Sequence, residues 1–239
     1  MCIRDRIMPL IDDDMIKVNN LRTEEELDAF QQYVIQRAQE RGNNKFAIYI
    51  TPTFGNPAGD LWTLQERENL IARVAQLREL GYDIVIFEDD PYGELNYTGL
   101  EEGEAKEEIV RLIELAPEFV VHFESMSKVV SPGVRIGYVV SKNQGYLQII
   151  RDLIDDYQIS VPNLPQFLIA RFIERGQLDE HIDTVLRPFY RQKADAMHNA
   201  LVESMAGLEG LSWEKPKGGL FIWLTVPAEW NIDFDYLLH

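Results

Sequence analysis

Cysteine is almost absent from the 239-residue chain, Cys2 being the only one, which excludes a disulfide framework and any cysteine-based metal site. Basic residues are scarce too: 23 Lys and Arg stand against 40 Asp and Glu, a formal net charge of −17. That balance argues against nucleic acid as a partner of this stretch, because such binding relies on basic patches that release counterions from a phosphate backbone. No apolar run approaches the roughly 18 residues of a membrane span, and the N-terminus lacks the apolar stretch of a signal peptide. A cytoplasmic protein without a membrane partner is therefore expected. No Gly-x-x-x-x-Gly-Lys-Ser/Thr occurs, which rules out the phosphate loop of nucleotide triphosphatases. His122, His181, His198 and His239 show no ligand spacing, and no metal site is expected. Internal repeats, low-complexity tracts and flexible linkers are missing as well.

What is present is a globular composition, 46% apolar, with strong local signals. Thr23 with Glu26, and Thr63 with Glu66, are capping boxes that open two helices. The first turns Leu27, Phe30, Tyr33, Val34 and Ile35 toward a core and stops near Gly42. The second aligns Leu70, Ile71, Val74 and Leu77 and ends at Gly81. Residues 46–51 and 83–88 are apolar nearly throughout, as strands covered on both faces should be. A helix near 106–115, strands at 119–123 and 134–140, a long helical segment at about 178–205 interrupted by Pro188, and a strand at 219–226 complete the pattern. Residues 232–239 read as a helix just starting, and residues 1–6 join abruptly to the segment after them. Alternating strands and helices predict an α/β fold with a mainly parallel sheet flanked by helices.

In such sheets ligands bind beyond the carboxyl ends of the strands. Three polar clusters follow those ends: residues 51–59 with Asn56-Pro-Ala-Gly59, residues 88–92 with Glu88-Asp-Asp-Pro-Tyr92, and residues 124–135 with Ser125-Met-Ser-Lys128 and Arg135. Each alone has a bland reading: a turn for residues 56–59, a solvated loop for Asp89 and Asp90, a surface amine for Lys128. Ser125-Met-Ser-Lys128 with Lys217-Gly-Gly219 also echoes serine acyl-transfer enzymes. That chemistry wants the serine at a helix start, whereas Ser125 follows a strand, and no Ser-Asp-Asn is present.

Taken jointly, Asn56-Pro-Ala-Gly59, Asp89-Asp-Pro-Tyr92, Ser125-x-Ser-Lys128 with Arg135, and Lys217-Gly-Gly-Leu-Phe-Ile-Trp223 resemble the class I/II aminotransferases over roughly residues 45–225. These are fold-type-I enzymes that use pyridoxal 5′-phosphate (PLP). The Asp-Asp-Pro-Tyr-Gly-Glu-Leu variant resembles the branch of aminoadipate and aromatic aminotransferases and MocR-type regulators. The resemblance implies a partial large PLP-binding domain over residues 1–193 and the beginning of a small α+β C-terminal domain over 194–239. It gives Lys128 the Schiff base with PLP and the later proton shuttle, tasks that require the amine in its neutral form. Asp89 would face the pyridine nitrogen and keep it protonated, so that the ring serves as electron sink. Tyr92 and Asn56 would hydrogen-bond the phenolic oxygen. Ser125, Ser127 and Arg135 would hold the phosphate, with Gly133 easing the loop around the anion. Asp90 has no cofactor role and is expected to be structural.

The implied activity is transfer of an amino group from an amino acid to a 2-oxo acid, in a homodimer. Ala58 and Ser131 are mild departures from the family pattern. An upstream cofactor-stacking segment has no match before Lys45, and no arginine follows Arg191 to grip a substrate carboxylate. The chain is therefore expected to be an internal piece of an aminotransferase that binds PLP weakly by itself. Two alternatives stay open: the sensor half of a MocR-type regulator, and another fold-type-I reaction such as a lyase or decarboxylase.

Overall fold

Two capping boxes start the fold where the sequence places them. The computed structural model describes residues 21–157 and 161–230, so the readings of residues 1–6 and 232–239 lie outside the described residues. Helix α1 (Glu24–Arg41) opens with Thr23 Oγ1 accepting from the Glu26 N–H at 3.2 Å, while the Glu26 carboxylate accepts from the Thr23 N–H at 2.9 Å. Gly42 ends it in the left-handed conformation, φ 63°. Helix α2 (Leu64–Glu79) repeats the device with Thr63 and Glu66.

Four strands form one sheet in sequence order: β1 (Lys45–Ile50), β2 (Asp83–Asp89), β3 (Val120–Ser125) and β4 (Gly137–Val140). The first three run parallel and β4 is antiparallel to β3. The core joins Leu27, Phe30 and Val34 of α1 and Leu70, Val74 and Leu77 of α2 to Ile48, Ile84, Ile86 and Val120 of the strands. Each such side chain contributes about 1.5–3 kcal/mol through removal from water. The expected α/β architecture with a mainly parallel sheet is what forms.

Three elements differ from expectation. The helix expected at 106–115 is the single turn α3 (Leu112–Leu115). The Glu107 N–H donates to Thr98 Oγ1 and its carbonyl accepts from Asn96 Nδ2, so the preceding backbone is committed to side chains instead of a helix. Strand β4 starts at Gly137, because residues 132–134 form a tight turn capped by Ser131 and Arg135 is left-handed at φ 53°. The strand expected at 219–226 shortens to β6 (Leu224–Thr225), paired with β5 (Ser212–Trp213). Beyond β4 the chain is helical: α4 (Gln144–Tyr157), α5 (Asn163–Glu174), α6 (Gln177–His181) and α7 (Arg187–Met205). Residues 182–186 between α6 and α7 are a π-helical turn, the expected interruption, and Pro188 sits in the first turn of α7. No helix among the described residues is long and apolar enough to cross a membrane.

The chain forms two compact units that interleave along the sequence. One takes in residues 21–52, Trp62–Pro91 and Glu108–Ile169; the other takes in Thr53–Leu61, Tyr92–Glu107 and the chain from Ala170. This division rests on contact, whereas a boundary at 193/194 rests on resemblance. In the second unit the 217–219 backbone bonds to 95–97: Gly219 N–H to the Leu95 carbonyl at 3.1 Å and Tyr97 N–H to the Lys217 carbonyl at 3.2 Å. Gly219 is left-handed at φ 70°, and a Cβ there would lie 2.7 Å from the Cβ of buried Phe54. Gly42 is equally left-handed with nothing within 4 Å of such a Cβ. Gly42→Ala should therefore cost about 1 kcal/mol through backbone strain alone, and Gly219→Ala about 2–4 kcal/mol because overpacking adds to it. Urea unfolding midpoints compared at unchanged slope check this; equal losses would show that Phe54 does not crowd the loop.

Candidate active site

The carboxyl edge of β1–β2–β3 carries most of the polar residues that the sequence singles out. Because the three strands are parallel, Asp89 at the end of β2 and Ser125 at the end of β3 emerge at the same edge, with Asp89 in register with Phe123. Side chains alternate between faces along a strand. Glu88 and Asp90 therefore share one face and Asp89 takes the other. All three consecutive acids are buried, at 0%, 5% and 0% exposure.

The two on the first face are met by cations and backbone amides. Glu88 accepts from the Leu112 and Ile113 N–H groups at 2.8 and 3.2 Å, capping α3, and stands 3.6 Å from the Arg67 guanidinium. It also bonds His122 Nδ1 at 3.0 Å, while His122 Nε2 reaches Glu124 at 3.5 Å and the Tyr138 hydroxyl donates to Glu124. Burial works against a charged imidazole, but the bonds to Glu124 and Glu88 outweigh it and hold His122 up to about 9. Asp90 pairs with Arg111 at 3.0 Å; burial pushes its carboxyl up to about 6 despite that partner. Arg67 also donates to the Pro52 and Trp62 carbonyls, fixing the residues between which the Asn56 loop leaves the first unit. Asp90, expected to be structural, is buried and engaged in an ion pair.

Asp89 is different. Among the described residues its carboxyl accepts from one hydroxyl, that of Tyr49, and forms no ion pair. Burial raises its pKa, while the Tyr49 bond and the His122 charge act in the opposite sense. Beyond β3 the chain turns sharply, the Val130 N–H bonding the Met126 carbonyl at 2.9 Å. Half-buried Ser127 and Lys128 lie in that turn, and the Ser127 N–H donates to Ser125 Oγ at 3.2 Å. Exposed Arg135 follows. The conformational freedom expected of Gly133 is not used there, since its φ is not left-handed; Arg135 itself takes the positive φ. Ser125 ends a strand and opens no helix, against the acyl-transfer rival.

Asn56 and Tyr92 belong to the second unit. Asn56 is exposed in a turn closed by the Gly59 N–H to the Gly55 carbonyl at 2.6 Å. A Cβ on Gly59 would lie 2.9 Å from the Phe221 carbonyl oxygen. The Phe221 ring packs edge-on to buried Tyr92, with centroids 5.5 Å apart. Three segments far apart in sequence, the Asn56 loop, Tyr92 and residues 217–221, thus meet by direct contact. The first unit gathers Asp89, Ser125, Ser127, Lys128 and Arg135 around one sheet edge. Tyr49, His122 and Glu124 were missed from sequence; the signal available was a polar tip or charge within otherwise apolar strands. Among the described residues no cluster of three His, Cys, Asp or Glu could hold a metal.

Comparison with known proteins gives the family. The family model for aminotransferase class I and II matches residues 25–236, and the chain belongs to that family. It is 33% identical over 208 residues to the aromatic-amino-acid aminotransferase 1 of Thermococcus litoralis, covering 85% of this chain and 45% of that protein. It superposes with TM-score 0.67 and 32% identity on LysN, the α-aminoadipate aminotransferase of Thermus thermophilus solved with N-(5′-phosphopyridoxyl)-L-leucine, covering 84% and 47% of the two chains. It is also 30% identical to the HTH-type transcriptional regulator NorG of Staphylococcus aureus, covering 81% and 40%. The fold is fold type I. The chain spans under half the length of these relatives.

The charge cluster behind the sheet yields a stability prediction. His122→Phe leaves Glu88 and Glu124 buried without their shared cation and should cost about 3–5 kcal/mol at neutral pH. The folded imidazole titrates near 9, above the ordinary value of about 6.5, so its contribution is complete below the lower value and is lost as pH rises through the higher. Wild type and variant should converge in urea unfolding above about pH 9. A constant gap across that range would contradict the charge pairing.

Proposed function

We propose that this chain carries the cofactor-binding centre of a PLP-dependent aminotransferase that moves an amino group from an amino acid to a 2-oxo acid. One observation carries the reading: of three consecutive buried acids, Asp89 alone forms no ion pair among the described residues, at the sheet edge that also bears Ser125, Ser127 and Lys128. The donor set suits the cofactor. A buried carboxyl suits a pyridinium, an amine suits an aldehyde, and two hydroxyls with a guanidinium suit a phosphate.

When bound, PLP supplies an aldehyde that captures amines and a protonated ring that draws electrons from the adjacent carbon. In this reading Lys128 tethers the cofactor through its amine and then carries a proton to and from the substrate carbon. Asp89 holds the ring nitrogen's proton. Tyr92 and Asn56 hydrogen-bond the phenolic oxygen, and Ser125, Ser127 and Arg135 hold the phosphate. Residues 1–193 and 194–239 then correspond to parts of the large and small domains. A cytoplasmic homodimer fits the family, and the exposed apolar face of α4, with Ile149, Leu153 and Ile154, supports a covered surface there. The likeness to NorG favours one second reading, a regulator's sensor module that binds PLP without turning over. Production of a 2-oxo acid from an added amino acid separates the two.

The test is spectroscopic. Added PLP should give a visible band that Lys128→Ala abolishes; identical spectra would refute the Lys128 assignment. Asp89→Asn should keep the band at saturation but weaken PLP affinity about tenfold or more, since an opposite charge at this range shifts a pKa by roughly 1–3 units. Unchanged affinity would refute the role of Asp89.

A further inference from the structure

Tyr49 lies near the end of β1 in register with Phe87, two residues before Asp89 on β2. Residues two apart on a strand share a face, so Tyr49 and Asp89 lie side by side on the face opposite Glu88 and His122. The Tyr49 hydroxyl donates to Asp89 Oδ2. Asp89 accepts no other hydrogen bond among the described residues, and Oδ1 stays available.

We propose that Tyr49 is a positioning residue of the cofactor centre: by fixing Oδ2 of Asp89 it orients the carboxylate so that Oδ1 is the oxygen offered to the ring nitrogen. This rests on the reading that Asp89 meets that nitrogen. A hydrogen bond from a neutral hydroxyl suits the task better than a cation would. It stabilises the carboxylate without neutralising it, leaving the net negative charge that a pyridinium requires. The groups that reach Asp89 from the flanking strands are Tyr49 on β1 and His122 on β3, the latter clamped by Glu88 and Glu124. Tyr49 is the one in direct contact on the Asp89 face. Its loss should make the buried carboxyl harder to ionise, because its bond is what most opposes the effect of burial.

Two measurements on the whole chain test this. In the cofactor-free protein, the Asp89 carboxylate stretch, isolated as the infrared difference between wild type and Asp89→Asn, is titrated with pH. Tyr49→Phe should move that titration upward, and 3-fluorotyrosine at position 49, a stronger donor of nearly the same shape, should move it downward. In the PLP-loaded protein, affinity should fall roughly tenfold at low pH in Tyr49→Phe and recover as pH rises and Asp89 ionises regardless. A purely structural Tyr49 would lower the melting temperature and leave both pH profiles in place, which overturns the proposal. Should Tyr49→Phe not fold, the fluorotyrosine arm decides by the same criterion. If Asp89→Asn weakens PLP binding while neither Tyr49 variant moves a profile, only the role of Tyr49 fails. If Asp89→Asn binds PLP as wild type does, the reading beneath it fails too.

Discussion

Three neighbouring carboxyl groups buried at the mouth of a parallel sheet are the constraint on which the rest depends. Burying a charge is costly unless something opposite or strongly polar meets it, and strand alternation lets the protein treat these three in two ways. On one face Glu88 and Asp90 are met by Arg67, His122, Arg111 and the amides of α3. On the other face Asp89 is met by a phenol. The first face is a sealed charge lattice. The second holds a carboxyl that forms no ion pair among the described residues and that burial makes harder to ionise.

This asymmetry links stability to function. The lattice behind the sheet anchors α3, β2, β3 and β4 to one another through Glu88, His122, Glu124 and Tyr138. In the proposed reading that bracing would help hold the Asp89 carboxylate at a fixed angle to a flat ring, where small displacements lose much of the benefit of orientation. In the second unit a comparable bracing comes from packing: glycines at 59, 218 and 219 let Phe54 and the Phe221 backbone approach where any side chain would collide. The Lys217-Gly-Gly motif is thus explained by contact with Phe54 and by bonds to residues 95–97.

Features set by neighbours in sequence were readable, and those set by distant partners were not. The capping boxes at Thr23 and Thr63 are complete within four residues, and β1–β3 announce themselves as strands through their apolar runs, although only β3 is buried on both faces. The helix expected at 106–115 failed because Asn96 and Thr98, about ten residues upstream, take the Glu107 backbone. The strand expected at 219–226 failed because residues 95–97 claim the backbone at its start. Asp89 was legible as an acid ending an apolar strand. What sets it apart from Glu88 and Asp90 was not, because Tyr49 lies 40 residues away and Arg111 is 21 residues from Asp90. His122 looked idle for the same reason: its partners Glu88 and Glu124 become a cage only when β2 and β3 align.

The central claim is that Asp89 meets a cationic ring nitrogen. The most direct measurement is 15N NMR of the chain loaded with PLP labelled at that nitrogen. The account predicts a ring nitrogen that stays protonated through neutral pH in the wild type and loses its proton in Asp89→Asn. A nitrogen that is neutral in the wild type, or equally protonated in both proteins, would contradict it.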